Sequence, residues 1–358
     1  MQLYNQKGTF AQNFVTMAQS KSTEIATLGE FGLIDRLTGK LGRRCDTTLM
    51  GAGDDAAVID MGDSVMLLTT DMMTEGIDFD LSYFPLKHLG YKAVVRGVND
   101  ILAMNASPRQ ITVALGVSAK ISVEALDELY EGMEQACTEL GVDIVGGDTT
   151  ASMNGLIITI SAVGVARKSE LVYRSGAKEH DLICITSNLG AAYMGLHLLE
   201  REKRVLKDVE NPEPKFEGYE YLLERYLKPR TRQNVLAALR EEGIVPTSMI
   251  DLSDGLASDL RQICRSSHCG ARIYLERIPI ARQTSELAEE MHIDPVIAAL
   301  NGGEDHELLF TIPLDKQEQV MRLGLVDVIG HITREESGVV LVTPDGEGIA
   351  LKAQAFDR

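Results

Sequence analysis

Apolar residues recur along this chain at two periods, near 3.6 and near 2, and the two periods predict alternating helices and strands. Pro85 opens a helix that runs to about Asn105. Its residues Leu89, Ala93, Val94, Val98, Ile101 and Leu102 fall at helical spacing. A second helix is predicted over Val123–Leu140, with Ser122 as N-cap and Gly141 just past its end. A third is predicted over 30–41. Shorter apolar runs predict strands over 56–59, 65–69 and 157–165, and residues 142–145 form another strand-like run. Around 166–170 the pattern turns polar, which places a domain boundary there. The second half restarts with a strand at Leu182–Thr186, a helix over 191–200 and a charged surface loop over 202–216. Strands over 271–275, 308–312 and Val339–Val342 then alternate with helices at Leu256–Ser267, 294–300 and 316–323. This gives an N-terminal tail (1–27), an N-terminal domain (28–167) and a C-terminal domain (168–358). Both domains are expected to be mixed α/β or α+β.

Charge narrows the partners. The formal net charge of −18 disfavours nucleic acid and anionic membranes, both polyanions. A small phosphate ligand stays possible, because a bound divalent cation reverses the local field. The five cysteines show no Cys-x-x-Cys spacing, which fits reduced thiols in the cytosol. Cys264, His268 and Cys269 lie close together near the end of a helical pattern, where packing explains them better than metal binding. The longest apolar run, 156–166, is too short to cross a bilayer, and a cytoplasmic location is expected.

Six acidic clusters change the picture. They are Gly53-Asp54-Asp55, Thr69-Thr70-Asp71, Asn99-Asp100, Gly146-Gly147-Asp148, Asp251-Leu252-Ser253-Asp254-Gly255 and Gly302-Gly303-Glu304-Asp305, with almost no basic residue among them. Taken singly, each Asp-Gly or Gly-Asp reads as a turn. Two of them, however, follow apolar strand-like runs, the context in which α/β proteins place ligand sites. Gathered carboxylates repel by roughly 3 kcal/mol per pair at about 5 Å and an effective dielectric near 20. A divalent cation such as Mg²⁺, with its preference for hard oxygen ligands, relieves that repulsion. Asp71 is the leading candidate and is expected to end a buried strand, with hydroxyl or carbonyl oxygens of Thr69 and Thr70 beside it. Asp55, Asp100 and Asp148 are candidates for completing the shell, although an aspartate on a helix can equally mark a solvated face. The small residues Gly97 and Ala103 near Asp100 would let a ligand approach. Arg174, in Arg174-Ser175-Gly176-Ala177-Lys178, reads either as a phosphate-binding guanidinium or as a surface residue on a linker. Phosphate loops of the Gly-x-x-x-x-Gly-Lys-Ser/Thr type, protein-kinase motifs and Gly-x-Ser-x-Gly elbows are all absent.

The order and content of these motifs, from Gly53-Asp54-Asp55-Ala56-Ala57-Val58 to Gly302-Gly303-Glu304-Asp305, resemble those of the thiamine-monophosphate kinase family. That family belongs to the wider aminoimidazole-ribotide synthetase-like superfamily. The resemblance spans about 29–332 and implies a two-domain α/β fold in which the N-terminal sheets of two subunits pair into a barrel across a homodimer. It implies Mg-dependent transfer of the γ-phosphate of ATP to thiamine monophosphate. By motif, Asp55, Thr69, Thr70, Asp71, Asp100, Asp148, Asp251 and Asp254 resemble Mg²⁺ ligands. Tyr130, Gly147, Asp148, Arg174 and Ser253 resemble ATP contacts; Asp78, Glu304 and Phe356 correspond to substrate contacts. The acceptor is itself an ionised phosphate, so the expected chemistry is direct in-line transfer without a protein nucleophile or base.

Several positions depart from the family pattern. Asp78 stands where the family has His, His306 where it has Tyr, and Asn105 where it has Gly. Gly97 and Asn99 replace the usual Asn and Ser. Asp78 either accepts from the pyrimidine amine or faces the thiazolium, or it has turned to solvent, or the acceptor differs. Two rivals are another ATP-using synthetase of the superfamily and a catalytically silent Mg-nucleotide-binding dimer. A selenophosphate synthetase would need a reactive Cys or selenocysteine in an N-terminal loop. Hydrogenase maturation protein E would need a C-terminal Cys, where this chain ends Phe356-Asp357-Arg358.

Overall fold

Period-2 alternation organises the first sheet, whose strands bury one face and leave the other open. The computed structural model describes Glu24, residues 27–207, Val209 and residues 213–353. Helix α1 (Gly29–Thr38) belongs to a different unit from Gly42–Ala353, which form one unit. In that unit β1 (Thr48–Met50), β2 (Ala57–Asp60) and β3 (Ser64–Thr74) precede the long helix α2 (Leu86–Ala103). Strand β4 (Ser107–Val117), helix α3 (Val123–Leu140), β5 (Asp143–Ala151) and β6 (Ile157–Arg167) complete the half. The sheet order is β1-β2-β3-β6-β4-β5, with β4 and β5 parallel and the other neighbours antiparallel. Val65, Leu67 and Met73 on β3, with Ile158, Ile160 and Ala162 on β6, turn inward onto the helices.

Helices α2 and α3 cross at backbone contact because each supplies a glycine at the crossing. A Cβ on Gly90 would lie 1.9 Å from the Leu129 carbonyl oxygen, and one on Gly132 would lie 1.8 Å from that of Lys87. The caps of α3 match the sequence reading: Ser122 Oγ accepts from the Ala125 amide at 3.2 Å and Gly141 is left-handed. Gly97 has a different role from the one expected. Its missing Cβ would sit 2.5 Å from Ile160 Cγ2, so it lets α2 press on β6 and makes no opening for a ligand. Asn105 takes φ 56°, a left-handed conformation Asn tolerates, and its amide donates to the Glu170 carbonyl.

The second half forms a seven-stranded sheet. Strand β7 (Leu182–Thr186) leads into α4 (Ala191–Leu206), α5 (Glu220–Leu227), α6 (Gln233–Glu241) and β8 (Ser248–Leu252). Helix α7 (Leu256–Ser267), β9 (Cys269–Tyr274), α8 (Arg282–Glu290), α9 (Pro295–Asn301), β10 (Glu307–Ile312), α10 (Gln317–Leu323), β11 (Val326–Arg334), β12 (Val339–Val342) and β13 (Gly348–Ala350) follow. The sheet order is β13-β12-β9-β11-β7-β10-β8. Helix α4 runs well past the predicted end at 200. The first part of the charged stretch read as a loop, to Leu206, continues the helix, where Glu202 is buried and accepts from the Lys215 amide at 3.0 Å; residues 213–216 are not helical. The first core extends onto Ala192, Leu199 and Tyr226, so the two halves share packing. Among the described residues no helix is long and apolar enough to cross a membrane.

Candidate active site

Three of the acidic clusters converge. Asp55 from the loop before β2, Asp100 near the end of α2 and Asp251 on the edge strand β8 offer carboxylate oxygens within 4.8 Å of one another. Each is oriented by a neighbour. Thr69 Oγ1 donates to Asp100 Oδ2 at 2.5 Å, and Asn99 Nδ2 donates to Asp251 Oδ2 at 3.1 Å. Arg174 donates to Asp55 Oδ1 through Nε at 3.0 Å and Nη2 at 2.5 Å. Asp55 Oδ2 is buried with no partner among the described residues.

Burial is the main force on these groups. It pushes Asp55 up from 3.8 to about 7, against the pull of Arg174. Burial and the charges of Asp251 and Asp55 push Asp100 well above the carboxylate range. Asp259 on α7, raised by burial, accepts from the amides of Asp254 and Gly255 and so holds the loop after β8. The Arg174 segment is pinned through its own amide to Asp54 at 3.2 Å, and through Ser267, which accepts from Gly176 and Ala177.

The fold places the remaining motif residues at varying distances from this group. Strand β3 continues to Thr74, paired with β6 along its whole length, so Asp71 lies within the strand and not at its end. Alternation then puts Thr69 and Asp71 on the inner face and Thr70 on the outer, where its hydroxyl lies 2.9 Å from Ser161 Oγ. The Thr70 hydroxyl is therefore turned away from the group. Asp148 sits on the exposed edge strand β5, and Asp254 is exposed; neither enters the group of three. Gly147 is small because a Cβ would lie 1.8 Å from the Val113 carbonyl oxygen. Tyr130 is exposed on α3. Ser253 offers its carbonyl to the Glu304 amide at 2.8 Å. Phe356, like most of the tail over 1–27, lies outside the described residues.

Three cations partner the acids, and the motif reading singles out only one of them, Arg174. Arg96 places Nε 2.6 Å from Asp71 Oδ2 and Nη1 2.9 Å from Asp78 Oδ1. Asp78 also accepts from the Thr74 amide at 2.8 Å, so it has not turned to solvent. Lys92 is fully buried, with Nζ 2.7 Å from Glu304 Oε2 and 3.9 Å from the centroid of the Tyr226 ring. Burial opposes ionisation of Glu304, but Lys92, His306 and Arg96 hold it well below the usual range. The third cation is Arg174. The expectation of carboxylates without basic partners therefore holds for the sequence but not in space. One signal was available: Lys92 falls on the apolar stripe of α2, three residues from Leu89.

Beside this network lies a cavity of about 370 Å³, lined by Asp78, Asp80, Glu200 and Glu304 and by Phe79, Tyr83 and Tyr226 among others. Acidic and aromatic walls suit a flat cationic molecule.

Comparison with known proteins agrees with this chemistry. Residues 53–166 match the N-terminal domain of AIR synthase related proteins, and residues 178–345 match the C-terminal domain of the same group. The chain is 34% identical over 336 residues to the thiamine-monophosphate kinase of Buchnera aphidicola subsp. Schizaphis graminum, covering 92% of this chain and 98% of that one. It is 33% identical over 342 residues to the thiamine-monophosphate kinase of Escherichia coli K12, with 92% and 98% covered. A solved structure described as AaThiL complexed with AMPPCP and TMP superposes with a TM-score of 0.78 at 28% identity, covering 92% of this chain and 97% of that one. Both halves thus share the two-domain mixed α/β fold of AIR synthase related proteins. With full-length relatives above 30% identity, the chain belongs to the thiamine-monophosphate kinase family.

Proposed function

We propose that this protein transfers the γ-phosphoryl group of ATP directly to the phosphate of thiamine monophosphate, with Mg²⁺ held by Asp55, Asp100 and Asp251. The observation that carries the proposal is the convergence of those three carboxylates beside an acidic, aromatic cavity. The donor set fits the ion: all three ligands are hard oxygens, burial makes their charges costly, and Asp55 Oδ2 is an orphaned buried acceptor. When bound, Mg²⁺ offsets the charge of the two phosphate groups that must meet. The protein residues position the reactants. Thr69 and Asn99 fix two carboxylates, and Arg174 holds the third while facing the same group. Ser253, Gly147, Asp148 and Tyr130 are assigned to the nucleotide side by their motifs. The thiazolium and aminopyrimidine rings are assigned to the cavity, against Tyr83 and Tyr226 and within reach of Asp78 and Glu304. A relative solved with AMPPCP and TMP together supports a site that holds both.

The acceptor phosphate is already ionised, so no side chain has to act as base, and no nucleophile is required. The open face of the first sheet supports the dimer: Leu68, Met72 and Val165 are exposed there, suited to a second sheet in a barrel. Stereochemistry tests the transfer step. A chirally labelled γ-phosphate should reach thiamine monophosphate with inverted configuration. Retention would indicate a phosphoenzyme and contradict direct transfer.

A further inference from the structure

Arg96 occupies the junction between the carboxylate group and the cavity. On α2 it lies one turn before Asp100, so both side chains leave the same side of the helix. Its Nε meets Asp71, which is close enough to the carboxylate group to feel the charge of Asp251. Its Nη1 meets Asp78 at 2.9 Å and Glu304 at 3.6 Å, two residues that line the cavity. The Arg96 side chain is 21% exposed, so it keeps access to solvent between the two groups. Three carboxylates thus surround a guanidinium that is still partly open to solvent. Lys92 cannot serve in its place, being fully buried between Glu304 and Tyr226.

A purely structural ion-pair network would account for the contacts to Asp71 and Asp78. It does not account for a partly open guanidinium on the line between the cavity and the carboxylate group. A molecule with a cationic ring in that cavity and a phosphate reaching the carboxylate group must pass its phosphate by Arg96. We propose that Arg96 binds the phosphate of the acceptor, with Asp71, Asp78 and Glu304 holding the guanidinium in place. This rests on the reaction proposed above. It also gives Asp78 a role: an acidic residue there retains an arginine, whereas a histidine would repel it when charged. Arginine suits the task because its planar fork matches phosphate oxygens.

The test compares thiamine monophosphate with thiamine, which differ only by the phosphate. Binding of each to the full-length protein is measured by calorimetry with Mg²⁺ and without ATP. Wild type should prefer the phosphorylated ligand. Arg96→Met should weaken thiamine monophosphate by about 10- to 100-fold, the range for a lost charged hydrogen bond, and leave thiamine unchanged. Arg96→Lys, which retains the charge and disturbs the fold least, should show a smaller loss in the same direction. A wild-type preference retained in Arg96→Lys and Arg96→Met would overturn the assignment. So would an equal loss of both ligands, which marks a structural role. Wild type that binds neither ligand would overturn the acceptor itself, and this inference with it.

Discussion

Replacing Asp100 by Asn should make the metal-free protein more stable, which is unusual for a change in a candidate active site. Oxygens of Asp55, Asp100 and Asp251 lie within 4.8 Å of one another, where two charges repel by roughly 3 kcal/mol at an effective dielectric near 20. Asp100→Asn removes two of these repulsions, and its amide oxygen can still accept from Thr69. The effect depends on pH with a definite sign. A carboxyl raised by burial binds more protons folded than unfolded, so its destabilising cost is absent below the unfolded value, grows as pH rises from there to the shifted value, and is complete above it. For Asp55, raised from 3.8 to about 7, the full cost corresponds to about 4 kcal/mol as an upper bound. Asp100 is raised in the same direction. In chelator, the melting temperature of wild type should therefore fall between about pH 4 and about pH 7. The Asp100→Asn curve should be flatter and should lie several degrees higher at about pH 8, on a scale of about 2–4 °C per kcal/mol or somewhat less. Mg²⁺ should lift wild type at that pH far more than it lifts the variant. Thermal melts with and without Mg²⁺ across this range suffice. A variant no more stable than wild type in chelator, or one lifted equally by Mg²⁺, would refute the reasoning.

Further predictions follow from neighbouring contacts. Thr70→Val should leave turnover near wild type, whereas Thr69→Val should lower it and raise the Mg²⁺ requirement; equal effects in steady-state assays would contradict the assignment of faces. Lys92→Met should destabilise by about 3–5 kcal/mol in denaturant melts, because Glu304 loses its buried partner, and adding Glu304→Gln should recover part of the loss. Met72→Asp, on the open face of the first sheet, should shift the protein to monomer in analytical ultracentrifugation; an unchanged mass would remove this face from the dimer proposal.

Local signals in the sequence read well and distant ones did not. Helix α3 was legible to the residue because its stripe and both caps lie within the segment. Helix α4 was cut short because a run of charge looks like a loop, and the burial of Glu202, which accepts from the Lys215 amide, comes only with the fold. The motifs supplied Asp55, Asp100 and Asp251, yet nothing in their spacing separates them from Asp148 and Asp254, which the fold leaves outside the group. Thr70 is instructive, since strict alternation along β3 already excluded its hydroxyl from the face of Thr69 and Asp71. The ion pairs of Arg96 and Lys92 were not legible because their partners Asp71, Asp78 and Glu304 arrive by tertiary contact. Asp78 was legible as a departure, but its meaning depends on Arg96, which only the structure supplies.

The central claim is phosphoryl transfer from ATP to thiamine monophosphate at the Asp55, Asp100 and Asp251 group. Mass spectrometry of a reaction containing the purified protein, ATP, Mg²⁺ and thiamine monophosphate tests it most directly. Thiamine diphosphate and ADP should accumulate in equal amounts, and neither should form with Asp100→Asn or in chelator. ADP without thiamine diphosphate, or full product formation by Asp100→Asn, would contradict the account.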